Sequence, residues 1–159
     1  LPEAQLDRFL FKLIVAYPTV EQEETILERH DEGLNPHDIA AAGVRAVASA
    51  ADLAAGRRAI DATRVDPRVR SYIVSIARAT REAPSVNVGV SPRGAAWLLH
   101  ASKAWAWLSG KDFVTPDEVK AVAKPALRHR LQLRPEVELE GGTADGVLDS
   151  VLAAVPVPR

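Results

Sequence analysis

Residues 91–110 read SPRGAAWLLHASKAWAWLSG, and the fold turns on this stretch. Ser91 followed by Pro92 is a strong helix start. A serine side chain can satisfy the orphan N–H groups of a first turn, and the fixed φ of proline suits the first helical position. From there the residues favour helix until Gly110, which can take the positive φ of a helix stop. On a helical wheel Trp97, Leu98, Ala101, Ala104, Trp105 and Leu108 share one face, which predicts the buried side. Trp107 falls off that face, near His100 and Lys103.

Working outward, the same grammar recurs. Thr115-Pro116-Asp117-Glu118 is a capping box with proline at its first helical position, and Val119, Val122, Ala126 and Leu127 supply the next stripe. Thr143 caps a last helix with Val147, Leu148, Val151 and Leu152 facing inward. Between them, His129 to Glu140 alternates Leu131, Leu133, Val137 and Leu139 around Pro135, which reads as a small hairpin. Upstream, Asp66-Pro67 opens a helix that carries Val69, Ile73, Ile76 and Ala77 to about Arg81. Val86, Val88 and Val90 then alternate with small polar residues as an extended segment. Thr19 and Gln22 form another capping box for a helix to about His30, stopped by Gly33, and residues 37–55 read as one or two short helices. Leu10-Phe11-Lys12-Leu13-Ile14-Val15 has the length and side chains of a strand ending at Tyr17-Pro18, and its sheet partners are expected upstream of Leu1.

Composition agrees with a mostly α chain. Alanine occurs 27 times against eight aromatic residues, a balance that suits closely packed helices. Cysteine is absent, so disulfides, thiol nucleophiles and zinc–thiolate sites are excluded. A formal charge of −1 argues against a globally basic nucleic-acid binder. No stretch approaches a membrane span, and no signal peptide opens the chain.

Few residues suggest chemistry. His30, His37, His100 and His129 lack metal-ligand spacing, and G-x-S-x-G is absent. Gly110-Lys111 fails as a phosphate loop, because Trp105 and Asp112 stand where glycine and Ser or Thr are needed. Arg93 lies in the first turn after Ser91-Pro92, where the helix dipole makes a cation unfavourable unless an anion sits in front of it. A phosphate would suit both the helix end and the guanidinium fork; a solvated surface arginine is the plainer alternative. Arg8 stands at the approach to the apolar run, where it could reach a neighbour's ligand or pair locally with Asp7 or Glu3. Residues 56–81 hold Arg57, Arg58, Arg64, Arg68, Arg70, Arg78 and Arg81 against Asp61 and Asp66, a stripe that fits a solvated helix face better than a nucleic-acid surface.

Together, Leu1-Pro2-Glu3-Ala4-Gln5-Leu6-Asp7-Arg8-Phe9, the apolar run and Tyr17-Pro18 resemble the end of the ATPase core in MoxR-type AAA+ proteins. Ser91-Pro92-Arg93-Gly94, then Gly110 through Val119, then Leu127-Arg128-His129-Arg130-Leu131 resemble the lid of the same family, and Val155 to Arg159 its usual end. These segments span nearly the whole chain in family order. The resemblance implies a ring, in the usual case a hexamer, with ATP and Mg bound between subunits and related to magnesium-chelatase subunits. It implies Arg8 as an arginine finger acting on the neighbour's γ-phosphate, and Arg93 as the sensor-2 arginine, acting within its own subunit or on the neighbour. Walker A, Walker B and sensor-1 residues have no counterpart here, so the chain alone is expected to be inactive. Gly94 stands where the family more often has alanine.

The expected organisation is thus residues 1–17 as the end of an α/β core, 18–35 as a connector helix, and 36–159 as a helical AAA+ lid bundle. The expected activity is cytoplasmic, ATP-dependent, chaperone-like remodelling of client proteins or metal insertion into them, von Willebrand factor A-type proteins among the candidates, with no nucleic acid and no membrane insertion. The contrasting class is a non-catalytic helical adaptor that binds nucleic acid or an acidic protein through the stripe 56–81.

Overall fold

The computed structural model describes residues 3–158; Leu1, Pro2 and Arg159, which complete the two terminal motifs, lie outside them. The chain is mostly helical from the short α1 (Glu3–Leu6) onward, as composition and capping signals predict, and it divides into a unit of residues 14–56 and a unit that holds the described residues before 14 and after 56. No described helix is long and apolar enough to cross a membrane.

In the first of these units, α2 (Val20–Asp31) begins at the predicted Thr19–Gln22 capping box and is followed by Gly33 at φ +90°. Residues 37–49 form turns as far as Gly43 and then irregular chain, rather than the expected helix. Their short polar side chains bond local backbone instead: Asn35 accepts from the His37 N–H, and Asp38 from the Ala41 N–H. Helix α3 (Ala50–Ala62) starts only where Ser49 and Asp52 cap each other reciprocally. No residue of 14–56 is buried.

The larger unit holds the core. Helices α4 (Pro67–Glu82), α5 (Pro92–Leu108), α6 (Pro116–Leu127) and α8 (Ala144–Ala154) close around Ile76, Leu98, Val119, Leu127 and Leu148. Every predicted cap is in place: Asp66, Ser91, Thr115 and Thr143 each accept a first-turn N–H. Two short ladders tie the joints between helices. In one, β1 (Arg64–Val65) runs parallel to β3 (Phe113–Val114); in the other, β2 (Val86–Val88) runs antiparallel to β4 (Gln132–Leu133).

Three local expectations are corrected. The buried side of α5 is Gly94, Leu98, Ala101, Ser102 and Ala106, while Trp105 and Leu108 are 48% and 70% exposed. A stripe of small residues lets α6 approach closely, and the bulky rings are left on the flanks. The hairpin expected over 129–140 is absent. Gln132 and Leu133 pair with the distant β2, and Pro135, which cannot donate to a ladder, instead opens the short helix α7 (Pro135–Leu139). Leu10–Val15 forms no strand either, because no described backbone edge lies beside it. Its recorded main-chain partners are single groups, such as the Pro125 carbonyl that accepts from the Lys12 N–H at 2.9 Å.

Two contacts set the geometry before α5. Val90 is fully buried; its N–H donates to Thr80 Oγ1 at 3.0 Å and its carbonyl accepts from Arg81 Nε at 2.7 Å. Gly89 lies so close to α4 that a Cβ there would fall 2.7 Å from the Arg81 backbone. After α5, Glu118 is buried beneath Thr115 and Lys111. It accepts from the Thr115 N–H at 2.8 Å, the Thr115 hydroxyl at 2.5 Å and Lys111 Nζ at 2.5 Å. Burial raises the pKa of this carboxyl, but these hydrogen bonds and the Lys111 charge outweigh it and hold the value at about 2.

Two predictions follow from these contacts. Because the Glu118 pKa is lowered on folding, its stabilisation is present above the ordinary value near 4.5 and is lost as pH falls towards 2. Acid titration of stability should therefore show a loss of about 2–3 kcal/mol over that window that is missing in Glu118→Gln. In Gly89→Ala the obstructing atoms are backbone, so the loop must move off α4. Chemical denaturation should show a loss of about 1–3 kcal/mol relative to the parent.

Candidate functional site

The site is built on the first turn of α5. Ser91 Oγ accepts the Gly94 N–H at 3.0 Å, which caps the helix, and the same hydroxyl lies 3.3 Å from both carboxylate oxygens of Asp7. Donating to that carboxylate leaves its lone pairs free for the cap. Arg93 follows two residues on. It is exposed, and its side chain has no hydrogen-bond or ion-pair partner among the described residues. A cation therefore stands unneutralised at the positive end of a long helix, an arrangement that favours an anion in front of it.

Arg8 also has a free guanidinium among the described residues, and it is exposed. The local ion pair with Asp7 that sequence alone allowed does not form, because Asp7 is taken by Arg130. That residue was not singled out in the sequence, and it proves to be the most heavily bonded side chain of the site. Its side chain is 1% exposed, and Nε donates to Asp7 Oδ1 at 2.9 Å. One terminal nitrogen donates to the carbonyls of Asp7 (3.0 Å) and Phe9 (2.6 Å); the other donates to those of Leu10 (3.3 Å) and Ala126. Burial pulls the Arg130 pKa down, and the Asp7 carboxylate opposes this, so the group stays a cation. Composition offers no signal for it: Arg130 follows Arg128 and His129 at a helix end, where basic residues are ordinarily solvated.

His129 adds a second hold on the same loop, with Nε2 2.9 Å from the Phe9 carbonyl. A carbonyl only accepts, so Nε2 carries the proton; burial, aided by the Arg130 charge, lowers the pKa and favours that neutral ring. Gly94 has a packing reason as well. A Cβ there would lie 2.8 Å from both Arg130 Cδ and Val90 Cγ1, so the departure from alanine coincides with the passage of the arginine stem.

A cleft of about 780 Å³ runs along this site, lined by Asp7, Ser91, His129 and Arg130 together with Phe9 and Lys12; neither Arg8 nor Arg93 lines it. Five arginines of the stripe 56–81 bond within the fold: Arg64 to Asp112, Arg68 to Asp66, Arg78 to Glu82, Arg70 to the Val65 carbonyl and Arg81 to the Val90 carbonyl. That pattern favours the solvated, ion-paired reading over a nucleic-acid surface. Among the described residues no group of three or more His, Asp or Glu could hold a metal ion.

Comparison with known proteins fits this architecture. Residues 78–151 match the AAA lid domain family. The uncharacterized protein YeaC of Bacillus subtilis is 39% identical over 158 residues, covering 99% of this chain and 48% of that protein. Chaperone MoxR1 of Mycobacterium tuberculosis is 31% identical, covering 100% of this chain and 43% of that protein, and protein MoxR of Paracoccus denitrificans is 30% identical, covering 99% and 51%. A crystal structure of "a putative ATPase" from Cytophaga hutchinsonii superposes with a TM-score of 0.86 at 28% identity, over 100% of this chain and 49% of that one. The chain spans about half the length of the curated relatives it matches. A lid match over 78–151, joined to relatives named MoxR that align from end to end of the sequence, fits a C-terminal lid fragment of the MoxR family of AAA+ proteins.

Proposed function

We propose that the chain is the lid-bearing part of a ring-forming ATPase in which Arg8 and Arg93 read and stabilise the γ-phosphate of ATP. In this reading residues 1–17 end the nucleotide-binding core, 18–35 connect, and 36–159 form the lid. The whole protein couples ATP hydrolysis in the cytoplasm to chaperone-like remodelling of clients, proteins with von Willebrand factor A-type domains or metal-receiving proteins among them. The observation that carries the reading is the bond between Ser91 Oγ and the Asp7 carboxylate, because it ties the residue before Arg8 to the cap of the helix that bears Arg93.

The two free guanidinium groups fit a phosphate. Arg93 adds its charge and fork to the N–H groups of the α5 first turn, and Arg8 approaches as a second cation from the loop beside it. Both belong to one unit, and in this reading Arg8 addresses the nucleotide held by the neighbouring subunit, while Arg93 addresses that nucleotide or its own subunit's. When bound, ATP supplies the phosphoanhydride whose terminal group leaves. This chain's part is to neutralise charge that develops on the equatorial oxygens and to register its departure through α5. No cluster among the described residues fits a magnesium ion, so Mg belongs to the rest of the protein in this reading, and no step of this chain runs through it.

The test is ATP turnover by the full-length protein with Arg8→Ala or Arg93→Ala subunits mixed into wild type. All-variant rings should lose at least about 100-fold in kcat while remaining folded. Mixed rings should lose activity more steeply than the fraction of variant subunits. Parental turnover in both all-variant rings would end this reading. Strictly proportional loss for Arg93→Ala alone would assign that residue to its own subunit's nucleotide.

A further inference from the structure

We infer that Arg130 is a positioning residue: with Asp7 it locks the Arg8 loop to the first turn of α5, so that the guanidinium groups of Arg8 and Arg93 keep one fixed spacing. The inference rests on the phosphate-directed reading of those two arginines for its functional consequence, but the lock itself is a matter of geometry.

A guanidinium has five N–H donors, and in Arg130 all five are used: on Asp7 Oδ1 and on the carbonyls of Asp7, Phe9, Leu10 and Ala126. Four of these acceptors belong to the loop Asp7–Leu10, and the Asp7 and Phe9 carbonyls stand on either side of Arg8. That loop belongs to no helix or strand. Its backbone is therefore held by a side chain from the far end of α6, 120 or more residues away in sequence. The other end of the lock reaches Arg93. Asp7 shares its carboxylate between Arg130 and the Ser91 hydroxyl, and the Arg130 stem crosses Gly94, the residue after Arg93, where a Cβ would fall 2.8 Å from it. Arg130 thus bonds or packs against the neighbours of both free arginines, and among the described residues it has no hydrogen bond to either arginine.

The chemistry favours position over stability as the role. Burying an ion pair repays its desolvation poorly, and an apolar cluster of the same volume would hold two segments together as well. What an apolar cluster cannot do is fix four carbonyls and a carboxylate at one register. A lysine cannot do it either, since it presents a point charge where a planar fork is needed.

The lock is tested in the full-length protein by two measurements. In the first, nitroxide labels on Arg8→Cys and Arg93→Cys report the distance distribution between the two positions in the otherwise unchanged protein, in Asp7→Asn and in Arg130→Lys. One narrow distance is expected in the parent, and a distribution at least about twice as wide in both variants; equal widths in variants that remain folded overturn the lock. Asp7→Asn keeps the shape of the site, so it decides the matter if Arg130→Lys fails to fold. In the second, Arg130→Lys should lower kcat about 10-fold or more with KM for ATP within about threefold, and should cost almost nothing further when added to Arg8→Ala, because it acts through that residue. A full multiplicative loss in the double variant overturns the positioning role. If Arg8→Ala and Arg93→Ala are themselves silent, the phosphate reading falls, and the distance measurement alone still decides whether the lock exists.

Discussion

A planar cation with five donors, buried against a loop that has no secondary structure, is the constraint on which the rest of the site depends. The loop Asp7–Leu10 offers carbonyls that neither a helix nor a sheet satisfies, and buried backbone acceptors left unpaired are costly. Arg130 answers that need with one group, and removing one partner of such a buried pair typically costs about 3–5 kcal/mol. The consequences spread outward in order. Asp7 cannot pair with Arg8, so Arg8 is left free. Ser91 leans on the same carboxylate, so the cap of α5 is tied to the loop. Gly94 leaves room for the Arg130 stem, whose Cδ a Cβ there would meet at 2.8 Å.

The lid core provides the rigid frame behind this arrangement. Arg130 can act as a fixed point only if the end of α6 is fixed, and α6 is held on two sides. The small-residue stripe of α5 packs against it, with the buried Ser102 hydroxyl returned to the Leu98 carbonyl at 2.7 Å. On the other side α8 is bound by ion pairs, Lys124 to Asp149 at 2.6 Å and Arg128 to Asp145 at 3.0 Å. The Arg128 pair is close but not aligned as a hydrogen bond, so it acts mainly through charge. A surface pair such as Lys124–Asp149 contributes little stability singly, and Arg128–Asp145 lies deeper, but the two join the same helices and so limit how α6 can slide.

How much of this was legible in the sequence follows from the range of the interactions. Helix starts are local chemistry, a hydroxyl or carboxylate reaching N–H groups two or three residues away, and Thr19, Asp66, Ser91, Thr115 and Thr143 could all be read directly. The burial of α5 was misjudged because hydrophobic periodicity weights tryptophan heavily, while close helix packing prefers Gly94, Ala101 and Ala106. Residues 129–140 alternate as a strand would and 10–15 carry strand-forming side chains, but strand formation depends on an available edge, and edges are set by tertiary structure. The pairing of β2 with β4 joins segments far apart in sequence and left no trace in either. Arg8 and Arg93 were visible through motif and helix position. Arg130 was invisible, since nothing in Leu127-Arg128-His129-Arg130-Leu131 distinguishes a buried arginine from the ones beside it.

The contrast among these arginines carries the last step. A side chain that must meet a ligand cannot also be fully engaged by its own fold, because each internal bond would have to break on binding. Arg8 and Arg93 have that unengaged character, whereas Arg64, Arg70, Arg78 and Arg81 do not. Freedom alone, however, would leave two long side chains on a mobile loop and a frayed helix end, and ordering them on binding would cost affinity and rate. The arrangement avoids this by fixing the backbone rather than the side chains. Arg130 and Asp7 hold the main chain on either side of Arg8, while Ser91, Thr80 and Arg81 hold the main chain before Arg93. The side chains stay available and their points of attachment do not move. A site divided in this way between unpaired tips and clamped roots is preorganised for a ligand that arrives from another polypeptide or another part of this one, since everything this unit contributes is already in place before the ligand comes.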